Sequence, residues 1–318
     1  MHDDALTLNF KLLVHLSCDA NADLRASSRP LAARVARAHP EIGLAIVEGL
    51  VAALLRRKLA EDVPSHVVRV LVEDLAEPLG ALPRETMWQL LRSGSLHAKE
   101  VGGRLLTTVP SAELQLDEIV FLGSHDIVAV RERAWAWLAS EKSRTYENLA
   151  LTARLCDSPW QDTREVAFRF LREAPAEHVT ADVIVAIVDS VKDDVQAFGR
   201  ELCSRVFRDE DGPKLLLRLS EHPQSSVQLF ATNYLERFAA GHSERLEALV
   251  PYFTSVLSRV AKGRIAKARV LAFLRAEGTK SAEGAAIGMA LFHRLSATMA
   301  IEDAATSIEA MLAIGRAF

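Results

Sequence analysis

The stretch DVQAFGRELCSRV, residues 194–206, carries the clearest structural signal in the chain. Its apolar and small residues recur at i, i+3, i+4, i+7 and i+11. They are Val195, Phe198, Gly199, Leu202 and Val206. These positions share one face of a helix with 3.6 residues per turn. The stretch therefore predicts an amphipathic helix with one buried face.

Related segments occur at a nearly constant interval along the chain. They read AVRERAWAWL from Ala129, DTREVAFRFL from Asp162, DVQAFGRELC from Asp194 and SVQLFATNYL from Ser226, so successive segments start 33, 32 and 32 residues apart. Self-similarity at a fixed period indicates an array of stacked supersecondary units. The interval therefore predicts a repeat protein with a period of about 32–33 residues.

Each repeat has the same internal plan. A small residue occupies one register of every segment, at Ala134, Ala167, Gly199 and Ala231. We expect close helix contact there, because a larger side chain would not fit. A polar or Pro-containing turn precedes each segment, and another apolar helix precedes most of these turns. Three segments open with Asp162, Asp194 or Ser226, which we expect to be helix N-caps. The predicted unit is helix, tight turn, helix.

The segments resemble the second helix of HEAT repeats, which typically opens with Asp, Val and Arg and then a small residue. The openings DVQ at 194–196, DTR at 162–164 and AVR at 129–131 match this pattern, although Gln196 and Gln228 stand where Arg is usual. The resemblance implies an all-α fold, a right-handed α-solenoid of stacked antiparallel helix pairs. Armadillo repeats and other α-solenoids share this packing, so the subfamily stays open.

The repeat signal varies along the chain. It is regular over residues 119–240. Residues 1–118 contain amphipathic stretches broken by Pro or Gly, which we interpret as degenerate repeats. Residues 241–318 are helical in pattern with longer spacing, which predicts further repeats or a cap. We expect the three regions to form one continuous solenoid.

Composition limits the class of protein. The hydrophobic fraction of 49% and the charged fraction of 25% are typical of folded chains. A net charge of −4 creates no general attraction for nucleic acid or anionic membranes. Three scattered cysteines favour a reducing compartment. The start MHDDALTLNF is acidic where a secretory signal is basic, and no apolar run reaches the roughly 18 residues of a membrane span. We expect a cytoplasmic protein without a membrane partner.

Motifs that carry catalysis are absent from the sequence. It contains no GxGxxG, GxxxxGK[ST], GxSxG, HExxH or CxxC pattern. Its ten histidines are scattered, with no pair at i, i+4 on a common helix face. We therefore expect no catalytic residues, no cofactor and no bound metal. Trp135, Trp137 and Trp160 suggest one further resemblance, to HEAT-like DNA glycosylases, which would imply a DNA-repair enzyme. These enzymes act through a basic concave surface, which the net charge of this chain does not favour, so this is the third and weakest hypothesis.

Stacked helix pairs form long surfaces that usually bind proteins or peptides. The first hypothesis is therefore a scaffold or adaptor for a protein or peptide partner. We expect the exposed face to carry polar side chains that hydrogen-bond an extended segment. These candidates are Arg164, Arg169, Gln196, Arg200, Gln228 and Asn233.

A basic stretch supports a second hypothesis, nucleic-acid binding through residues 259–275. No acidic residue occurs between Glu247 and Glu277. The candidate anion-binding residues are Arg259, Lys262, Arg264, Lys267 and Arg269. The alternative is a solvated helix whose charges pair with acidic residues of neighbouring repeats.

Overall fold

The computed structural model describes residues 9–56, 59–222, 224–259, 264–296 and 301–318. All regular structure in these ranges is helical, and they contain no strand. The all-α prediction is therefore confirmed. The chain divides into two compact units, Met1–Lys142 and Ser143–Phe318. None of the described helices is long and apolar enough to cross a membrane.

The first unit is built from consecutive helices that pack in neighbouring pairs. Its helices are α1 (Phe10–Ser17), α2 (Ala22–Ala38), α3 (Pro40–Leu55), α4 (Val63–Arg69), α5 (Ala76–Gly80), α6 (Arg84–Leu91), α7 (Leu96–Leu106), α8 (Leu116–Gly123) and α9 (Val128–Ser140). The main pairs are α2 with α3, α6 with α7, and α8 with α9. Ile46, Leu50 and Leu54 of α3 are buried at a spacing of four residues, as expected for a core-facing helix stripe.

The remaining helices run from the unit boundary to the end of the chain. They are α10 (Lys142–Glu147), α11 (Leu149–Ala153), α12 (Gln161–Glu173), α13 (Ala181–Val188), α14 (Asp193–Val206), α15 (Gly212–Glu221), α16 (Ser225–Thr232), α17 (Leu235–Ala239), α18 (Ser243–Ala248), α19 (Val250–Leu257), α20 (Arg264–Gly278), α21 (Ala282–Leu295) and α22 (Ile301–Ala317).

Two rows of helices follow chain order in the second unit. In one row α11, α13, α15, α19 and α21 each pack on the next. In the other, contacts join α12 to α14, α16 to α20, and α20 to α22. The hydroxyl groups of Ser204 and Tyr234 lie 3.1 Å apart and link α14 to the residues after α16. Each helix of the second row also packs on a helix of the first row, as in the pairs α13–α14 and α15–α16.

The small-residue register is packed as the sequence predicts. Ala134, Ala167 and Ala231 are buried. A Cβ atom added to Gly199 would lie 2.6 Å from Val188 Cγ2, which is too close for real contacts. Helices α13 and α14 therefore meet at a distance that only the smallest side chains allow.

The predicted N-caps are wrong by two residues. Helices α12, α14 and α16 begin at Gln161, Asp193 and Ser225, so the predicted caps are second helical residues. The turn before each helix is closed earlier, by a side chain at Ser158, Ser190 or His222. Each accepts a hydrogen bond from the N–H two residues later, at 3.3, 3.1 and 3.1 Å respectively. The polar turn residues, and not the first acidic residue, therefore mark the helix starts.

Candidate functional site

Two members of the predicted partner surface are buried. Gln196 is 2% exposed and Gln228 is 6% exposed. Gln196 Nε2 donates to the carbonyl oxygen of Ser190 at 2.6 Å, and Gln228 Nε2 donates to that of His222 at 2.5 Å. The expectation that these amides are exposed is wrong, because each satisfies a turn carbonyl six residues earlier that is closed off from water.

Arginine performs the same role in two of the other related segments. Arg164 Nη1 donates to the carbonyl of Ser158 at 3.1 Å, and in the first unit Arg131 Nη1 donates to that of His125 at 2.9 Å. We name Arg131, Arg164, Gln196 and Gln228 the turn-lock residues; they stand 33, 32 and 32 residues apart. This column holds each polar turn onto the helix that follows it.

Arg164 also contacts the helix α14. Its Nε lies 2.9 Å from Asp194 Oδ2. Burial opposes ionisation of Asp194, but the hydrogen bond and the charge of Arg164 lower the pKa of that carboxyl below its ordinary value. Arg164 is thus largely committed to contacts within the fold, and it offers a partner less than the sequence pattern suggests.

The other three predicted partner-binding residues are accessible. Arg169 on α12 and Asn233 after α16 are exposed, and Arg200 on α14 is half-buried. Arg200 Nη1 is buried and makes no hydrogen bond within the described residues. These three side chains remain candidates for contact with a partner.

The basic stretch does not form one exposed patch. Lys267 is 4% exposed because it shares the buried side of α20 with Val270 and Leu274. The expectation that Lys267 faces an anion at the surface is therefore wrong. Arg264 and Arg269 are exposed and Arg259 is half-buried. The prediction for Lys262 lies outside the described residues.

The structure joins one residue from each predicted set. Arg269 Nη1 donates to Asn233 Oδ1 at 2.7 Å and to Thr232 Oγ1 at 3.1 Å. Arg269 lies on α20, and the two acceptors end α16. The partner-binding and anion-binding candidates therefore meet at this point.

A cavity of about 650 Å³ opens beside this contact, between α16, α17 and α20. We name it the Arg269 cavity. Its polar lining consists of Thr232, Asn233, Glu236, Arg269, Glu277 and Lys280, and Phe273 and several alanines complete the wall. Its volume is typical of sites that hold a small ligand or a side chain.

The cavity lies where the second-row helix is interrupted. Helix α16 ends at Thr232 and α17 begins at Leu235, whereas α12 and α14 continue for 13 and 14 residues. At the break the N–H groups of Asn233 and Tyr234 bond carbonyls only three residues earlier. The buried Tyr234 ring stacks on Phe207 with centroids 4.7 Å apart, and burial raises the pKa of its phenol to about 12. A neutral, packed Tyr234 thus anchors the break.

The charged side chains of the cavity differ in their partners: Glu277 is paired with a cation, whereas Arg269 is bonded only to neutral groups. Glu277 is 4% exposed, accepts the Gly241 N–H at 2.7 Å, and pairs with Lys280 Nζ at 2.6 Å. Gly241 has φ of +74°, a conformation that favours glycine. Arg269 bonds only the neutral oxygens of Thr232 and Asn233 within the described residues. Among the described residues that line the cavity, Arg269 is therefore a cation without a carboxylate partner.

Sequence reasoning missed Thr232, Glu236, Glu277 and Lys280. The first two lie one residue before and three residues after Asn233, within residues 119–240. Glu277 and Lys280 lie beyond residue 240, where the repeat spacing lengthens and no register relates them to earlier segments. The packing of α16 on α20 brings Thr232 and Glu236 into the same cavity as Glu277 and Lys280.

The cysteines in the second unit belong to the core. Burial raises the pKa of the Cys156 thiol to about 12 and that of Cys203 to about 11. No group of three or more His, Cys, Asp or Glu side chains within the described residues is arranged to hold a metal ion. Both thiols are protonated at neutral pH, so neither is a thiolate nucleophile.

We predict a pH-dependent contribution to stability from His125 in the first unit. His125 is 5% exposed; Nε2 contacts the Leu91 carbonyl at 2.9 Å and Nδ1 accepts the Ile127 N–H at 3.2 Å. Burial lowers its pKa, and Lys99 and Arg131 act in the same direction. The unfolded chain then binds more protons than the folded chain, so stability is present above the ordinary histidine pKa and is lost as pH falls through the folded pKa.

The measurement is urea unfolding between pH 7.5 and 5 for the wild type and for His125→Ser. Serine occupies the equivalent turn position at Ser158 and Ser190 and can still accept the N–H. We expect a smaller loss of stability on acidification in this variant. Some dependence will remain, because burial also lowers the pKa of His66. An unchanged slope in the variant would show that His125 does not contribute.

No protein-family model matches the chain, and no curated protein matches it significantly. The function is therefore inferred from the chemistry of the described residues, above all from the Arg269 cavity and the accessible polar side chains of α12 and α14.

Proposed function

We propose that this chain is a scaffold or adaptor of the HEAT-like α-solenoid type, which holds an extended segment of a partner protein on its second unit. The recurrence of the turn-lock contact at intervals of 33, 32 and 32 residues supports the repeat assignment. The Arg269 cavity carries the functional proposal. It offers a recessed, polar site on the row of helices that also contains α12 and α14, where the accessible polar side chains lie.

Contacts between neighbouring helices keep the binding surface rigid. The rings of Phe168 and Phe198 stack with centroids 4.3 Å apart, and Arg172 forms two hydrogen bonds to Glu201 at 2.7 and 2.8 Å. The hydrogen bond from Arg172 lowers the pKa of Glu201, so this carboxylate is ionised at neutral pH. A preorganised surface loses less conformational entropy when a partner binds.

A protein partner fits this surface better than nucleic acid does. Exposed carboxylates at Glu165 and Glu236 lie on the same row of helices as the accessible arginines. A continuous row of phosphates would be repelled by these carboxylates, whereas a peptide presents isolated charges and many main-chain acceptors. The burial of Lys267 further weakens the case for a phosphate-binding stretch.

The test compares two charge reversals on α20, Arg269→Glu and Arg264→Glu. Both residues are exposed, and both changes alter the net charge equally, but only Arg269 lines the cavity. Tagged wild-type and variant chains are used to capture partners from lysate of the source cells at low and high salt. We expect a protein partner that withstands high salt and whose capture falls about tenfold or more in Arg269→Glu but not in Arg264→Glu.

Two results would contradict the proposal. Equal losses in both variants, with nucleic acid eluted by salt, would assign the function to the charge of the basic stretch. Equal capture by the wild type and both variants would remove the cavity from the binding surface.

A further inference from the structure

We infer that the Arg269 cavity is a recognition site for the side-chain carboxylate of a single Asp or Glu in the partner segment. This inference rests on the proposed function and adds the chemical identity of the residue that enters the cavity. It follows from the geometry of the guanidinium group and from the distribution of charge around it.

The guanidinium group is held in place and is only partly used. Nη1 donates to both Asn233 Oδ1 and Thr232 Oγ1, which restricts the rotation of the side chain. Nε and Nη2 make no hydrogen bond within the described residues. These two nitrogens form the side edge of the guanidinium, which matches the two oxygens of a carboxylate in a bidentate pair. The fold thus leaves the strongest carboxylate-binding edge of Arg269 available.

The neighbouring groups complete a set of hydrogen-bond donors. Because Asn233 Oδ1 accepts from Arg269, its amide nitrogen retains two N–H donors that the described residues do not use. Lys280 is already paired with Glu277, whose other oxygen accepts the Gly241 N–H. The Glu277 carboxylate is therefore occupied and does not compete for Arg269.

Glu236 limits how much negative charge the cavity can accept. Its carboxylate is exposed and belongs to the cavity lining, and it forms no ion pair with Arg269. A second anionic group beside the first would be repelled by Glu236. The site therefore suits one isolated carboxylate better than a phosphate or a run of acidic residues.

The experiment uses a displayed library of random linear peptides selected on the chain of residues 1–318. Each enriched peptide is synthesised with an amidated C-terminus in three forms: the original, one with its acidic residue replaced by the matching amide, and one with that residue replaced by Lys. Binding of each labelled form to wild type, Arg269→Glu and Arg264→Glu is measured by fluorescence anisotropy. Inorganic phosphate serves as a competitor.

We expect enriched peptides to contain an acidic residue whose replacement by the amide weakens binding about tenfold or more, as for loss of a charged hydrogen-bond partner. The Arg269→Glu variant should bind the acidic peptide about as weakly as the wild type binds the amide peptide. This variant should also bind the Lys peptide more tightly than the acidic peptide. Arg264→Glu should behave as the wild type. The gain for the Lys form shows that the variant is folded.

Each of the other outcomes contradicts either carboxylate recognition or the proposed function. Peptides that bind equally well in acidic and amide forms, or equally to wild type and Arg269→Glu, would disprove carboxylate recognition while leaving peptide binding in place. A requirement for a free C-terminal carboxylate, or displacement by phosphate, would assign the cavity to another anion. Failure to enrich any peptide would contradict the proposed function itself.

Discussion

Replacement of Gly199 by leucine is expected to destabilise the second unit by about 3 kcal/mol, near the upper end of typical overpacking costs. A Cβ alone would lie 2.6 Å from Val188 Cγ2 and 3.1 Å from the Val188 amide nitrogen. The branched side chain would force α13 and α14 apart. The loss of stability should lower the urea concentration at the midpoint of unfolding. Unfolding is monitored by the circular dichroism signal of the helices at about 222 nm.

Gly315→Leu is the matched control. Gly315 also lies in a helix of the second unit, α22, but a Cβ there would meet no atom within 4 Å. We expect this variant to be as stable as the wild type or slightly more stable, because glycine is the poorer helix former. Equal destabilisation by both substitutions would mean that α13 and α14 do not meet closely at Gly199.

Replacement of Gln196 by methionine should be the second most damaging change, with a loss of about 1–3 kcal/mol. Methionine preserves the approximate volume and the apolar contacts but removes the donor that reaches the Ser190 carbonyl at 2.6 Å. The carbonyl would then be left without its partner in a buried turn. Urea unfolding of the full chain measures the loss.

Gln196→Arg provides the control for this prediction. Arginine performs the same turn-lock role at Arg131 and Arg164, so we expect it to restore most of the stability that methionine removes. If methionine and arginine were equally well tolerated, the hydrogen bond would contribute little. If both were equally damaging, the site would require the size of glutamine rather than its donor.

Some residues of the candidate site could be predicted from local sequence patterns, whereas the contact between them could not. Asn233 and Arg269 were each recognisable from the sequence, one from the repeat register and the other from the run of basic residues. Their meeting was not, because the two residues are 36 positions apart and the repeat spacing changes between them. Periodicity also could not separate Gln196 from Arg169. Both are polar, but Gln196 is buried with its Nε2 bonded to the Ser190 carbonyl, whereas Arg169 is exposed.

The sequence by itself determined the helical class, the recurrence of similar segments at an interval of about 32–33 residues, and the small-residue register that includes Gly199. These features depend on the spacing of apolar, small and turn-forming residues within short segments. Only the tertiary structure decided that Lys267 is buried, that Glu277 pairs with Lys280 and accepts the Gly241 N–H, and that Arg269 lines a cavity in which no described carboxylate pairs with it. The physical reason is that burial and charge pairing depend on groups brought together by packing between distant helices, and sequence spacing does not encode those distances.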